Sequence, residues 1–315
     1  MYVLLPAQLE VFAVSPTAAG LILGINRYIR IISNSGAAWI VQRVGAVWPL
    51  AAAVVLAGIT TLTYGLFTGF VLLFIAHGFW GLSWSVLRLS GYLAAVETGA
   101  SNAVGRHMGV FQSVSRGGSL IAAVGGGLLA DRIGARETLV WFGMVTFIAI
   151  TLVPFAKIPS DLGRKRADPL KPAPAQPLRH SMSWHIRMLY AHALAAWLVV
   201  SGLTATVGYV VATKASDGVS ILGIVLGVST FSGILLGVRW ITDLGLGPVF
   251  GHLSDQLGRQ KVIVGAMSIF VVAYGVLAFA PSMAVIALMF SIVFIGASGL
   301  MISLNASVAE SAPPD

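Results

Sequence analysis

Seven ionisable residues stand where the surrounding sequence is almost wholly apolar: Arg27, Arg30, His77, Arg88, Arg116, Arg239 and Asp243. Charge in such surroundings is costly, and by default it marks function. A guanidinium is planar and grips carboxylate or phosphate through two parallel hydrogen bonds, so five arginines against one aspartate point to an anionic ligand. His77, Gly81, Trp84 and Arg88 recur at the spacing of one helical face. An imidazole there suits a proton relay, because the group ordinarily titrates near neutral pH. Gln112, Ser113, Arg116 and Ser119 form a second polar stripe.

Each of these residues also has a plainer reading. Arg239 and Asp243 are four residues apart and can neutralise one another along one helix. Arg27 can snorkel toward an interface, and Arg88 can serve a neighbouring backbone carbonyl. A packed, neutral His77 fits its position as well as a relay does, and the Trp80 and Trp84 rings are more often packing than ligand stacking. For Arg30 and Arg116 no acid of the same helix lies near, so a cavity position is preferred.

The chemistry of an enzyme is not written here. The chain has no H-E-x-x-H, no G-x-S-x-G, no paired aspartates in its apolar stretches and no cysteine. No cofactor and no metal ligand set is expected.

The elements that must hold these residues are read from composition and apolar length. The 315 residues are 57% hydrophobic and 10% charged, with a mean hydropathy of +0.90. Soluble domains carry about 25% charged residues, so part of this chain's solvent is lipid. A net charge of +8 raises the question of nucleic acid. That partner is excluded because the basic residues gather in one linker and in short loops beside apolar segments. A bilayer core needs roughly 20 apolar residues per helix. The sequence predicts helices near 17–41, 47–66, 69–95, 107–130, 138–156, 188–212, 219–250, 262–281 and 283–307, after a shorter one at 1–13.

One long polar segment, 157–187, divides the chain into an N-terminal bundle over 1–156 and a C-terminal bundle over 188–315. It carries Arg164, Lys165, Arg166, Lys171, Arg179 and Arg187 with the proline run Pro169, Pro172, Pro174 and Pro177, and reads as a flexible cytoplasmic linker. With that segment inside, Arg43, Arg106, Arg259 and Lys261 also fall inside, whereas Arg132, Arg136 and Lys214 fall outside. A shift of 213 residues lays Leu23-Gly24 on Leu236-Gly237 and Gly45 on Gly258, the pattern of two parallel repeats. In that register Arg30 and Asp243 are equivalent. With Arg88 and Arg116, they lie about 13–18 Å of helix rise from the nearest loop, near the midplane.

A family resemblance follows from the loop residues. Gly251-His-Leu-Ser-Asp255-Gln-Leu-Gly258-Arg259-Gln-Lys261 resembles the major facilitator motif G-x-L-[AS]-D-[RK]-x-G-[RK]-[RK], departing from it at Gln256 and Gln260. A degraded first copy, Ala38-Trp-Ile-Val-Gln42-Arg43-Val-Gly45, has glutamine in place of the aspartate. Gly127-Leu-Leu-Ala-Asp131-Arg132-Ile-Gly134-Ala-Arg136 fits the pattern too, and is read as a helix end and turn on the outside. The resemblance implies an all-α membrane fold of two pseudo-symmetric bundles, in which the loop around Asp255 latches the inner gate; the plainer alternative is that Asp255 caps a loop. It further implies that helices three, six and nine are outer scaffold, in keeping with their lack of intramembrane charge.

Twelve helices are expected of the family and about ten are present. The chain therefore reads as incomplete, with part of the first helix and the last two absent. A Gly-Pro dipeptide that antiporters of the family carry before Gly125-Gly126 is Ile121-Ala122 here, which weakens a multidrug exporter. The expectation is a monomeric secondary transporter in the plasma (inner) membrane. It would move a small organic anion by alternating access, with protons as a coupling ion. The alternatives are a proton-coupled drug exporter and a non-functional relative.

Overall fold

The computed structural model describes residues 1–97, 104–156, 159, 161–164, 184–221, 223–280 and 282–310. In these, eleven α-helices run in the order α1 (Leu4–Ala7), α2 (Pro16–Val44), α3 (Val47–Leu66), α4 (Phe70–Glu97), α5 (Val104–Ile133), α6 (Ala135–Ile150), α7 (Trp184–Lys214), α8 (Val228–Gly245), α9 (Gly247–Leu257), α10 (Arg259–Ala278) and α11 (Met283–Glu310). A short hairpin of β1 (Val219–Ile221) and β2 (Ile224–Leu226) precedes α8. Among the described residues, five helices are long and apolar enough to cross a membrane, or six when α8 and α9 count as one bent span. α2 and α5 have the length, at 29 and 30 residues, but are less apolar or more charged.

The chain forms two compact units. The first comprises Met1–Ser115 and Leu129–Ala175, the second Arg116–Leu128 and Gln176–Asp315. In the first, α2 packs on α4, and α3 on α4 and α6. Glycines set these contacts: a Cβ on Gly81 would stand 2.9 Å from the Asn26 carbonyl oxygen, and one on Gly143 2.7 Å from the Leu62 side chain. Backbones therefore touch where only hydrogen fits. Ser15 caps α2 by accepting from the Ala18 N–H at 3.2 Å, ahead of a proline in the first turn. Arg136, in the first turn of α6, donates to the carbonyls of Gly65 (2.9 Å) and Leu66 (2.8 Å), which a helix end leaves without partners. In the second unit α11 packs on α7, α8, α9 and α10. The middle of α5 lies backbone to backbone on α8, with Gly127 against Ser229 and Gly233 against Ala123.

Several expectations need correction. The stub at 1–13 is helical only over Leu4–Ala7 and then turns, with Ala13 at a φ of 51°. The single helix expected over 219–250 is a hairpin followed by two helices bent by 65°. Gly218 and Gly223 supply the positive φ that the hairpin needs (97° and 82°). A proline in the first turn of α9, having no N–H to give, ends the hydrogen-bond ladder of α8. The helix after the linker starts at Trp184 rather than 188.

Asp161–Arg164, near the head of the predicted linker, forms a turn. The Leu162 carbonyl accepts from Ala46 N–H at 3.1 Å, and its side chain is buried with Val41 and Ala46 against Leu89, Leu93 and Ala94. Lys165, Arg166, Lys171, Arg179 and the prolines at 169, 172, 174 and 177 lie outside the described residues, as do the last five residues.

Candidate functional site

The first unit gathers four of the predicted residues along α2 and α4. His77 is 1% exposed. Its Nδ1 stands 3.0 Å from the Tyr64 hydroxyl, the Tyr2 ring meets it edge-on, and Trp80 stacks on it at 5.9 Å with only 5° between the planes. Its Nε2 is enclosed without a hydrogen-bond partner among the described residues. These contacts are those of a packed ring. Arg27 lies over the Tyr2 ring at 5.5 Å. Arg30 is half-buried with its Nε enclosed and unpartnered, within electrostatic reach of Tyr2, Arg27 and Arg88. Arg88 is exposed and donates from Nε to the Tyr92 hydroxyl at 2.9 Å. Among the described residues none of the three arginines has an ion-pair partner.

The other three predicted residues meet in the second unit. Arg116 on α5 forms an ion pair with Asp243 on α8, and Ser298 on α11 donates to the same carboxylate. Arg239 donates instead to Thr204 Oγ1 on α7 at 2.9 Å. The carboxylate of Asp243 is thus held by partners on two other helices. Two guanidiniums lie over Trp240, Arg239 at 5.0 Å and Arg116 at 5.7 Å from its centroid. Both contacts fall within cation–π range.

Sequence reasoning did not single out Tyr2, Asn26, Tyr64, Thr204, Trp240 or Ser298. Asn26 is 1% exposed and its Nδ2 is unpartnered among the described residues. Its signal was present: it lies four residues before Arg30, one helical turn away.

The motif residues occupy helix ends. α9 runs on through Asp255 to Leu257, and Gly258, at a φ of 89°, turns the chain into α10. Asp255 is exposed and stands 3.7 Å from Arg259 in the first turn of α10, while Gly251 lies in α9. In the degraded copy Gly45 turns at 82° between α2 and α3, and Arg43 lies over the Trp39 ring at 4.2 Å. Gly134, at 101°, makes the turn between α5 and α6.

A family model described as the Major Facilitator Superfamily matches residues 1–315. An uncharacterized MFS-type transporter of Bacillus subtilis (strain 168), YuxJ, is 27% identical over 255 residues. The match takes in 78% of this chain and 62% of the relative, so the chain spans less than two thirds of that protein's length. Two solved structures share the fold. One is a bacterial homologue of the human lysosomal transporter Spinster, in an inward-facing and occupied conformation. It matches with a TM-score of 0.69 at 15% identity, over 99% of this chain and 70% of that one. The other is a POT family transporter in complex with a thioalcohol-conjugated peptide, at a TM-score of 0.64 and 14% identity, over 96% and 77%. With apolar spanning helices, turn glycines at the motif positions and a family model matched along all its residues, the chain belongs to the Major Facilitator Superfamily and is an integral, multi-pass membrane protein.

Proposed function

We propose that the protein is a secondary transporter for a small organic anion, working by alternating access. The observation that carries this reading is the uneven satisfaction of its arginines. Arg116 is neutralised by Asp243, whereas Arg27, Arg30 and Arg88 stand together in the first unit with no acid paired to them among the described residues. Guanidiniums gathered without a paired acid favour an anion, and their fork geometry suits carboxylate or phosphate. Proton coupling is assigned to Asp243, a carboxylate in an otherwise apolar segment whose partners Arg116 and Ser298 come from two other helices. The pair of exposed Asp255 and partly buried Arg259 is assigned to the inner gate.

The test is ligand binding to the purified chain in lipid nanodiscs, with small carboxylates and phosphate set against amines of similar size. Arg30→Gln is expected to weaken anion binding about 10- to 100-fold, the worth of one charged hydrogen bond. Arg30→Lys should recover part of it, because charge survives while the fork is lost. Preferential binding of amines by the unaltered protein defeats the reading.

A further inference from the structure

We infer that the anion is aromatic: a planar monoanion whose ring lies on the Trp80 and Trp84 pair and whose charged group is held by Arg30. This rests on the anion reading above and narrows it. Three observations, all within the first unit, carry it.

The first is a continuous stack of rings along α4. His77 and Trp80 are nearly parallel (5.9 Å, 5°), and Trp80 and Trp84 continue the series (5.5 Å, 13°). Offset parallel contact at such separations is one of the arrangements that packed rings prefer, and the offset leaves part of each ring face uncovered. A run of near-parallel rings offers those faces to a further ring.

The second is where that face points. The exposed large apolar residues of α4 are Phe70, Val71, Leu72, Ile75, Phe79 and Leu82; beyond Phe70, at the start of the helix, they fall on one apolar stripe. At about 100° per residue, His77, Trp84 and Arg88 fall on the opposite side of the helix, with Trp80 beside them. Trp80 and Trp84 are nevertheless only half-buried. Their open surface is therefore on the side of α4 turned away from its apolar, lipid-type stripe.

The third is unspent hydrogen-bonding capacity beside the stack. Asn26 on α2, 1% exposed, has its Nδ2 enclosed and unpartnered among the described residues, and the same holds for Arg30 Nε one turn further on. Gly81 lets α2 approach α4 until its Cα lies against the Asn26 carbonyl. Donors left without acceptors in a dry interior are costly. An incoming carboxylate supplies acceptors, and the neighbouring Arg27 and Arg88 add to the positive field that receives it.

The test is competition binding on the full chain in nanodiscs, with radiolabelled benzoate as the probe. The competitors are cyclohexanecarboxylate, which keeps charge and size without the π face, and benzylamine, which keeps the ring with the opposite charge. The unaltered protein is expected to bind benzoate about tenfold or more tightly than cyclohexanecarboxylate, the worth of one stacking contact. Trp84→Leu should bring that ratio close to one with little change for cyclohexanecarboxylate. Trp84→Phe, which keeps a ring, should retain most of it and guards against misfolding of the leucine variant. Equal affinity for the two acids in the unaltered protein overturns the aromatic assignment and leaves the anion reading standing. Binding of benzylamine but neither acid overturns both.

Discussion

A guanidinium sunk in an apolar helix is held by whatever acceptor reaches it, and the two units of this protein treat theirs differently. Arg116 shares Asp243 with the Ser298 hydroxyl, and Arg239 is turned to Thr204. Arg30 keeps an enclosed Nε with nothing to receive it among the described residues. Removing one member of the Arg116 and Asp243 pair leaves the other unanswered, so Asp243→Asn is expected to cost about 1–3 kcal/mol. The pair is one third exposed on the arginine side, which keeps the figure below that of a fully enclosed pair. Thermal unfolding in detergent measures the loss, and Arg116→Gln added to Asp243→Asn should return part of it, since two neutral amides can bond to each other. The arginines and Asp243 were legible in the sequence because charge stands out against an apolar background. Their partners were not. Ser298, Thr204 and Asn26 are residue types that membrane helices carry freely, and nothing in their spacing says which distant helix they will meet.

Helices and their ends show the same division. The positions of α3, α4, α10 and α11 follow from apolar length alone, and the turn glycines Gly45, Gly134 and Gly258 mark their breaks by type. The hairpin before α8 was missed because Val-Ser-Ile and Ile-Val-Leu continue the hydropathy of the helix that follows. Short apolar runs do not distinguish strand from helix.

Nor did composition foretell the turn at Asp161–Arg164, which lies beside a basic, proline-rich stretch. One leucine decides it. Leu162 fills a slot made by Val41, Ala46 and the α4 residues Leu89, Leu93 and Ala94, and its carbonyl satisfies the Ala46 N–H at the start of α3. The turn thus clamps the α2–α3 corner, where the degraded motif carries Gln42 in place of an aspartate. Leu162→Ala is expected to cost about 2–5 kcal/mol, the range for a truncated core leucine. Hydrogen exchange at the Ala46 amide should accelerate with it. Gly163→Val should act likewise, because Gly163 has a φ of 79° and a Cβ there would stand 2.8 Å from Val41 Cγ1. Unchanged exchange in both variants removes the clamp.

Across the molecule, apolarity gave the lipid environment and the all-α class, and the glycine-turned corners gave the family; the ligand took side-chain geometry to propose. A further consequence lies in the three arginines of the first unit that have no ion-pair partner among the described residues. A seat built positive is less positive once a monoanion occupies it, so the loaded and empty carriers differ by one elementary charge. Displacing that charge through a membrane potential is worth about 2.3 kcal/mol per 100 mV. With one proton taken up by Asp243 for each anion the cycle is electroneutral, so in proteoliposomes at symmetric pH, with potassium and valinomycin setting the voltage, benzoate accumulation is expected to be indifferent to potential. A fall of about tenfold for each 59 mV of inside-negative potential means that the anion crosses alone, and removes the proton assignment.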